Sequence, residues 1–329
     1  MAQVRDVSVS DTAVQKRFTP ECAQLLHAIL EEMSSVVVQA AHDVPIKLLR
    51  RFRAVILEDS SSISLPDELA EVWRGCGGNQ AHTAAAVKLH VRWELKRGQV
   101  QGPKLSDGRT SGHASPFTDE AVEAGSLSIK DLGYFSLRQM AERRRAGGYT
   151  LARLRAGTAL FTPKGKRLRL DDVPLPQRVG HMKQLHVQVG AGERLPMRLV
   201  LLRERWQMEP LYKLWKQQGQ VDEWRTSNPW RVLCELYAKL IGALLQQWLI
   251  VLFAWQDPQR SLVKLAQVVR DTGWSIMEAL AGHRSLCCAL RLIGRRMRSG
   301  CQMNKRKKHP NSAQLLEQEA VEWALSWCE

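Results

Sequence analysis

The sequence predicts an α/β protein, a mixed sheet flanked by helices with helical extensions at both ends, and three observations carry that prediction. Val87, Leu89, Val91, Trp93 and Leu95 alternate with Lys88, His90, Arg92, Glu94 and Lys96, the period of two of a half-buried strand. A short branched run, Ala54-Val-Ile-Leu57, is stopped by Glu58, Asp59 and a row of serines, as a buried strand is when it opens into a loop. After Ser227-Asn228-Pro229 a long apolar stretch begins, with an N-cap residue and a proline placed as at the start of a helix.

The remaining elements follow in order. Leu25, Leu26, Ile29, Leu30 and Met33 recur at spacings of three and four, which predicts a helical segment over residues 1–53 that ends in the basic step Lys47 to Arg53. Asp67 to Trp73 reads as a brief helix closed by Gly75, Gly77 and Gly78, and this glycine cluster lacks the spacing of a phosphate loop. Gly98 turns the alternating strand back onto Val100, residues 101–119 read as loop, and Asp119 to Ala124 gives a helical signal. Leu127 to Phe135 is a second strand with Asp131 inside it. The charged helix Leu137 to Arg145 and the strand Tyr149 to Leu154 complete a strand, helix, strand succession. Residues 162–196 are punctuated by Pro and Gly around one strand, Gln184 to Val189. Residues 203–256 are mostly helical, and a helical tail runs from Ser261 to Arg298. This divides the chain into a helical segment 1–53, a core 54–256 and a basic helical region 257–329.

At 329 residues the chain is large enough for about two domains and for a core without disulfide or metal staples. Lys and Arg number 48 against 33 Asp and Glu, a net charge of +15 that points to a polyanionic partner, most simply nucleic acid. The seven cysteines are scattered and never spaced C-x-x-C, so neither a disulfide framework nor a structural zinc site is expected, and a reducing cytoplasm fits best. The most apolar stretch, Val232 to Trp255, is interrupted by Glu235, Lys239, Gln246 and Gln247, and no membrane-spanning helix is expected.

Three carboxylates stand out by position: Asp59 beyond one strand, Asp131 within or beside another, and Glu209 in a later helix. Two strands and a packed helix can gather three oxygen ligands around a pair of Mg²⁺ ions about 3.5–4 Å apart, the arrangement used for in-line phosphoryl displacement. Among 33 acids, spacing alone leaves ordinary surface carboxylates as the competing reading. The flanking residues narrow it. Val55-Ile-Leu-Glu-Asp59-Ser-Ser-Ser, Gly125-Ser-Leu-Ser-Ile-Lys-Asp131 and Arg205-Trp-Gln-Met-Glu209 with Lys216 resemble, in order and spacing, the motifs of DDE transposases. The resemblance is to bacterial insertion-sequence enzymes of family four, which carry a Tyr-Arg-Glu-Lys signature, and runs from about residue 20 to 250.

The resemblance implies a ribonuclease H-like core over 54–256 in which Asp59, Asp131 and Glu209 are catalytic and hold two Mg²⁺ ions, with Mn²⁺ able to substitute. It implies a bacterial, nucleoid-associated transposase that binds double-stranded DNA at transposon ends and target, nicks it and transfers the freed strand, as a homodimer on DNA and in some members through a hairpin intermediate. Arg205 and Lys216 would hold the DNA strand at the cut and Trp206 would stack on a displaced base. Positions 202, 205, 209, 213 and 216 share one helical face if the segment is a single helix. The chain departs from the pattern in three ways: Leu202 stands where the tyrosine is expected, Pro210 follows the glutamate, and only 77 residues separate Asp131 from Glu209. A shortened insertion at about 162–200, with loss of the strand that should precede Glu209, would make the chain a catalytically impaired DNA-binding relic. A short amino terminus is expected as well.

Two basic stretches add possible phosphate contacts. Residues 132–170 hold ten Lys or Arg against Glu142 alone, and residues 279–316 hold nine with no Asp or Glu, ending in Lys305, Arg306, Lys307 and Lys308. His181 and His186 have no metal-like partner in the sequence, and Cys287-Cys288 reads as core packing. A helical RNA-binding protein with incidental acids is the remaining, less favoured, reading.

Overall fold

The computed structural model describes residues 10–76, 84–111, 114–117, 121–174, 182–202, 215, 219–224 and 226–304. The chain divides into two compact units, one made of Met1–Thr110 with Leu211–Glu329 and the other of Ser111–Pro210.

The first unit begins with helices α1 (Asp11–Gln15) and α2 (Pro20–Ser35), capped by Ser10 and Thr19. The basic step Lys47–Arg51 is a short 3₁₀ helix. An antiparallel sheet follows, β1 (Val55–Leu65), β2 (Ala85–Glu94) and β3 (Val100–Asp107), with β2 between the other two. Strand β1 is longer than the sequence suggests. The serine row reads as a loop, but the period of two continues through it to Ile63 and Leu65, both buried, and pairing runs unbroken from Ile56 opposite Glu94 to Leu65 opposite Ala85. Strand β2 is likewise not half-buried: His90 and Arg92 are as enclosed as Val87, Leu89 and Val91. Residues 101–107, expected as loop, form β3, where Pro103 is tolerated because β3 is an edge strand of this unit. The expected turn is present at Gly98, whose φ of +73° favours glycine and whose absent Cβ would lie 2.5 Å from the Trp255 ring. Asp67 to Trp73 yields only a 3₁₀ turn, Asp67–Leu69.

The cap-and-proline signal marks α4 (Pro229–Ala254), with Asn228 accepting from the Arg231 amide. By length and composition alone this helix could cross a membrane, and in this structure its apolar face is packed into the core. Its inner face, including Leu233, Leu236, Leu240 and Leu244, closes one core with α2 and with Val87, Leu89, Val91 and Trp93 of β2. The tail forms α5 (Leu262–Asp271), α6 (Gly273–Leu280) and α7 (Leu286–Ser299). Helix α7 turns Ala289, Ile293 and Met297 inward, which leaves Cys287 and Cys288 exposed and corrects their assignment to the core.

In the second unit, β4 (Leu127–Lys130), α3 (Leu137–Arg145) and β5 (Tyr149–Ala152) form a strand, helix, strand unit with parallel pairing from Leu127 opposite Tyr149 to Lys130 opposite Ala152. Residues 121–124 are not helical; Gly125 turns there with φ +77° and the Ser126 hydroxyl donates to the Glu123 carbonyl. Strands β6 (Leu160–Phe161), β7 (Arg167–Leu168), β8 (Met182–Val189) and β9 (Leu195–Leu202) form an antiparallel sheet in the order β7-β6-β8-β9. A strand therefore does precede residue 203, where the sequence suggested one was lost, and it pairs along its whole length with β8.

Candidate active site

Asp59 is the fifth residue of β1 and lies opposite Val91, so it sits within the strand and not at its end. Alternation places it on the face of Leu57, Ile63 and Leu65, the side that packs against the helical core. It is half-buried, and its Oδ1 accepts from the Ser60 amide at 2.7 Å. The backbone beneath it is clamped from the other face. Glu58 and Arg92 are cross-strand partners, both buried, with the guanidinium 3.4 Å from the carboxylate. Next along the same face, His90 Nε2 pairs with Ser106 Oγ at 2.8 Å across β2 and β3. Burial, reinforced by Lys88 and opposed by Glu58, pushes the His90 imidazole down to about 4, so it is neutral near pH 7.

Asp131 is the residue after β4 and caps a 3₁₀ turn, Leu132–Tyr134, so it stands beside its strand and not inside it. The end of β4 lies opposite Ala152, which brings Arg153 to the same end of the parallel pair, 3.8 Å from Asp131 Oδ1. Carboxyl ends of parallel strands are where open α/β sheets present functional side chains. The carboxylate is open to solvent, in contrast to Glu58.

Glu209, Arg205, Trp206, Lys216, Lys305, Arg306, Lys307 and Lys308 lie outside the described residues, as does His181. Leu202 is the last residue of β9, so a helical face shared with 205 and 209 cannot begin there. Between Glu209 and the described helices, Trp215 is 1% exposed and belongs to the core that covers the Asp59 side of the sheet, together with Leu89, Val91 and Trp93.

Carboxylate oxygens on ordered strands suit a hard divalent cation. Among the described residues, no three His, Cys, Asp or Glu side chains come together as a metal site; two members of the expected triad are described, one in each unit. Several arginines of the basic stretch 132–170 have partners within their own unit: Arg138 pairs with Glu142, Arg145 with Glu193, and Arg143 donates to Ser126 Oγ. Sequence reasoning missed Glu58, His90 and Arg92 because charged residues in alternation read as a solvated face. The signal present was Glu58 directly beside Asp59.

The family model of the transposase DDE domain matches residues 50–245, more than half of the chain and a span that includes Asp59, Asp131 and Glu209. The chain is similar to the transposase of insertion sequence IS231B of Bacillus thuringiensis subsp. berliner, 19% identical over 310 residues, covering 71% of this chain and 64% of the relative. The transposase of IS231F of B. thuringiensis subsp. israelensis is 21% identical over 313 residues, with 72% and 65% covered. That of IS1151 of Clostridium perfringens is 18% identical over 312 residues, with 72% and 66% covered. The chain thus spans just under two thirds of the length of the curated relatives it matches. A solved piggyBac transposase synaptic complex with hairpin DNA is similar at a TM-score of 0.31 and 10% identity, over 82% of this chain and 57% of that one. With the family match running from just before β1 to within α4, the chain belongs to the transposase DDE domain family.

Proposed function

We propose that this chain is a metal-dependent DNA transposase that binds transposon ends, cleaves a strand and transfers it, with Asp59, Asp131 and Glu209 as the catalytic carboxylates. The observation that carries the reading is the match of residues 50–245 to the transposase DDE domain. The setting of Asp59, on the core side of an ordered strand, supports it.

The fold assigned to the catalytic part is ribonuclease H-like, and the subgroup is the insertion-sequence family with the Tyr-Arg-Glu-Lys signature, here with Leu202 in the tyrosine position. In this reading Asp59 offers an oxygen from a strand that cannot shift register without moving Ile63 and Leu65 out of the core. Asp131 offers a second from just past a strand end, beside Arg153. Glu209 supplies the third. Two bound Mg²⁺ ions, for which Mn²⁺ substitutes, would activate the attacking hydroxyl and stabilise the leaving oxygen. Arg205, Trp206, Lys216 and the 305–308 cluster hold DNA, the working form is a homodimer, and the site of action is the bacterial cytoplasm at the nucleoid.

The test is cleavage of a matched transposon-end duplex with Mg²⁺ or Mn²⁺ by the full chain. Nicking that falls to background in Asp59→Ala, Asp131→Ala and Glu209→Ala is the expected result. Tight DNA binding without any cleavage in either ion would instead support an impaired relic, and absence of both would overturn the reading.

A further inference from the structure

We propose that the outward face of α7 is a binding site for the phosphate backbone of duplex DNA, with Arg291, Arg295 and Arg298 as its contacts. The inference rests on the DNA-binding reading above and adds a surface that lies outside the matched residues 50–245.

The apolar side of the helix fixes which way the arginines point. Ile293 and Met297 are buried against Ile250, Ala254 and Leu265, Ala289 is buried on the same side of the helix, and Gly294 sits so close to Phe253 that a Cβ there would lie 2.8 Å from the ring. At about 100° per residue, Arg291, Arg295 and Arg298 fall within roughly 60° of one another on the opposite side. All three are exposed, as is Arg296.

Their usual structural duties are already filled. Basic residues in the last turn of a helix commonly satisfy its terminal carbonyls. Here Arg260 does so, donating to the Met297, Arg298 and Gly300 carbonyls, while Lys264 donates to the Gln302 carbonyl at 2.8 Å. Arg291, Arg295 and Arg296 make no ion pair or side-chain hydrogen bond among the described residues, and Arg298 only lies over the Phe253 ring at 6.0 Å. Like charges at i, i+4 and i, i+3 repel. The sequence from 279 to 316 contains no Asp or Glu to relieve that repulsion. A polyanion would.

The spacing also suits one. Arg291 to Arg298 spans about 10 Å of helix at 1.5 Å per residue, the axial length of about three phosphates on one strand at 3.4 Å each.

The test measures binding of the full chain to a fluorescein-labelled 30-base-pair duplex across a salt series. Arg291→Gln/Arg295→Gln/Arg298→Gln should weaken binding at least tenfold at low salt and reduce the slope of log K against log salt by up to about 2.7, that is, about 0.9 per lost contact. The same three positions changed to Lys should keep the wild-type slope and show that the helix still folds. Lys16→Gln/Arg17→Gln/Arg50→Gln removes equal charge from exposed positions elsewhere and should leave the slope unchanged. An unaltered slope in the α7 Gln variant, or an equal fall in the control, overturns the inference. So does a loss confined to phosphatidylserine vesicles, which would assign the face to a membrane. Failure of the wild-type chain to bind any DNA would instead overturn the function proposed above.

Discussion

Two carboxylate–guanidinium pairs mark the settings of Asp59 and Asp131, the two described acids of the proposed triad, and they differ in almost every physical respect. Glu58–Arg92, next to Asp59, has side chains 1% and 10% exposed and joins neighbouring strands in an eleven-residue β1. Asp131–Arg153 has side chains 40% and 53% exposed at the end of a four-residue strand. The first pair is part of a buried framework in the strand that carries Asp59. In the second pair the acid is itself the partner, held only weakly through solvent. The contrast teaches that one proposed ligand position is built into a long paired strand, while the other stands half-exposed just past a strand end.

The sharpest way to break this contrast is to remove one partner of the buried pair. Glu58→Ala leaves a buried guanidinium without its carboxylate and should destabilise the chain by about 3–5 kcal/mol in urea unfolding. Glu58→Leu combined with Arg92→Met should recover most of that loss. A loss below about 1 kcal/mol for Glu58→Ala would make the two pairs equivalent.

Acid pH sharpens the same point through His90. Its imidazole is pushed from 6.5 down to about 4 in the folded state, so between those values the unfolded chain binds a proton that the folded chain does not. Stability therefore falls as pH drops from about 6.5 towards 4, by an upper limit of about 3 kcal/mol. The melting temperature of His90→Gln, followed across that range, should lose this limb while retaining a side chain able to reach Ser106.

The smallest effect belongs to the exposed pair. Arg153→Gln should change unfolding free energy by less than about 1 kcal/mol, because solvent already screens the interaction. A larger change in chemical denaturation would show that the strand end is as rigid as the sheet.

Elements marked by strong local chemistry were legible in the sequence. The Asn228-Pro229 cap, the Gly98 turn and the charged helix Leu137–Arg145 all appear where the residues place them. What escaped depended on partners distant in sequence. The serines of β1 are strand because β2 pairs with them, and Glu58 faces the buried Arg92 from the neighbouring strand. The acids at 59 and 131 were singled out by their flanking motifs; Asp59 lies mid-strand instead of at a strand end, whereas Asp131 stands beside its strand, one of the two settings the sequence allowed.

The order in which the first unit is made has a consequence for synthesis. Its three strands are made by Asp107, but the long helix that packs on Val87, Leu89, Val91 and Trp93 is not complete until Ala254. At about 5–20 residues per second, a ribosome needs roughly 7–30 s to cross that interval, and the intervening unit Ser111–Pro210 can fold meanwhile. Until α4 emerges, the nascent chain carries an apolar sheet face covered only by α2, and so partly open to chaperones, proteases or a neighbouring nascent chain. Translation speed between those two points would then set how much of this protein reaches its native state.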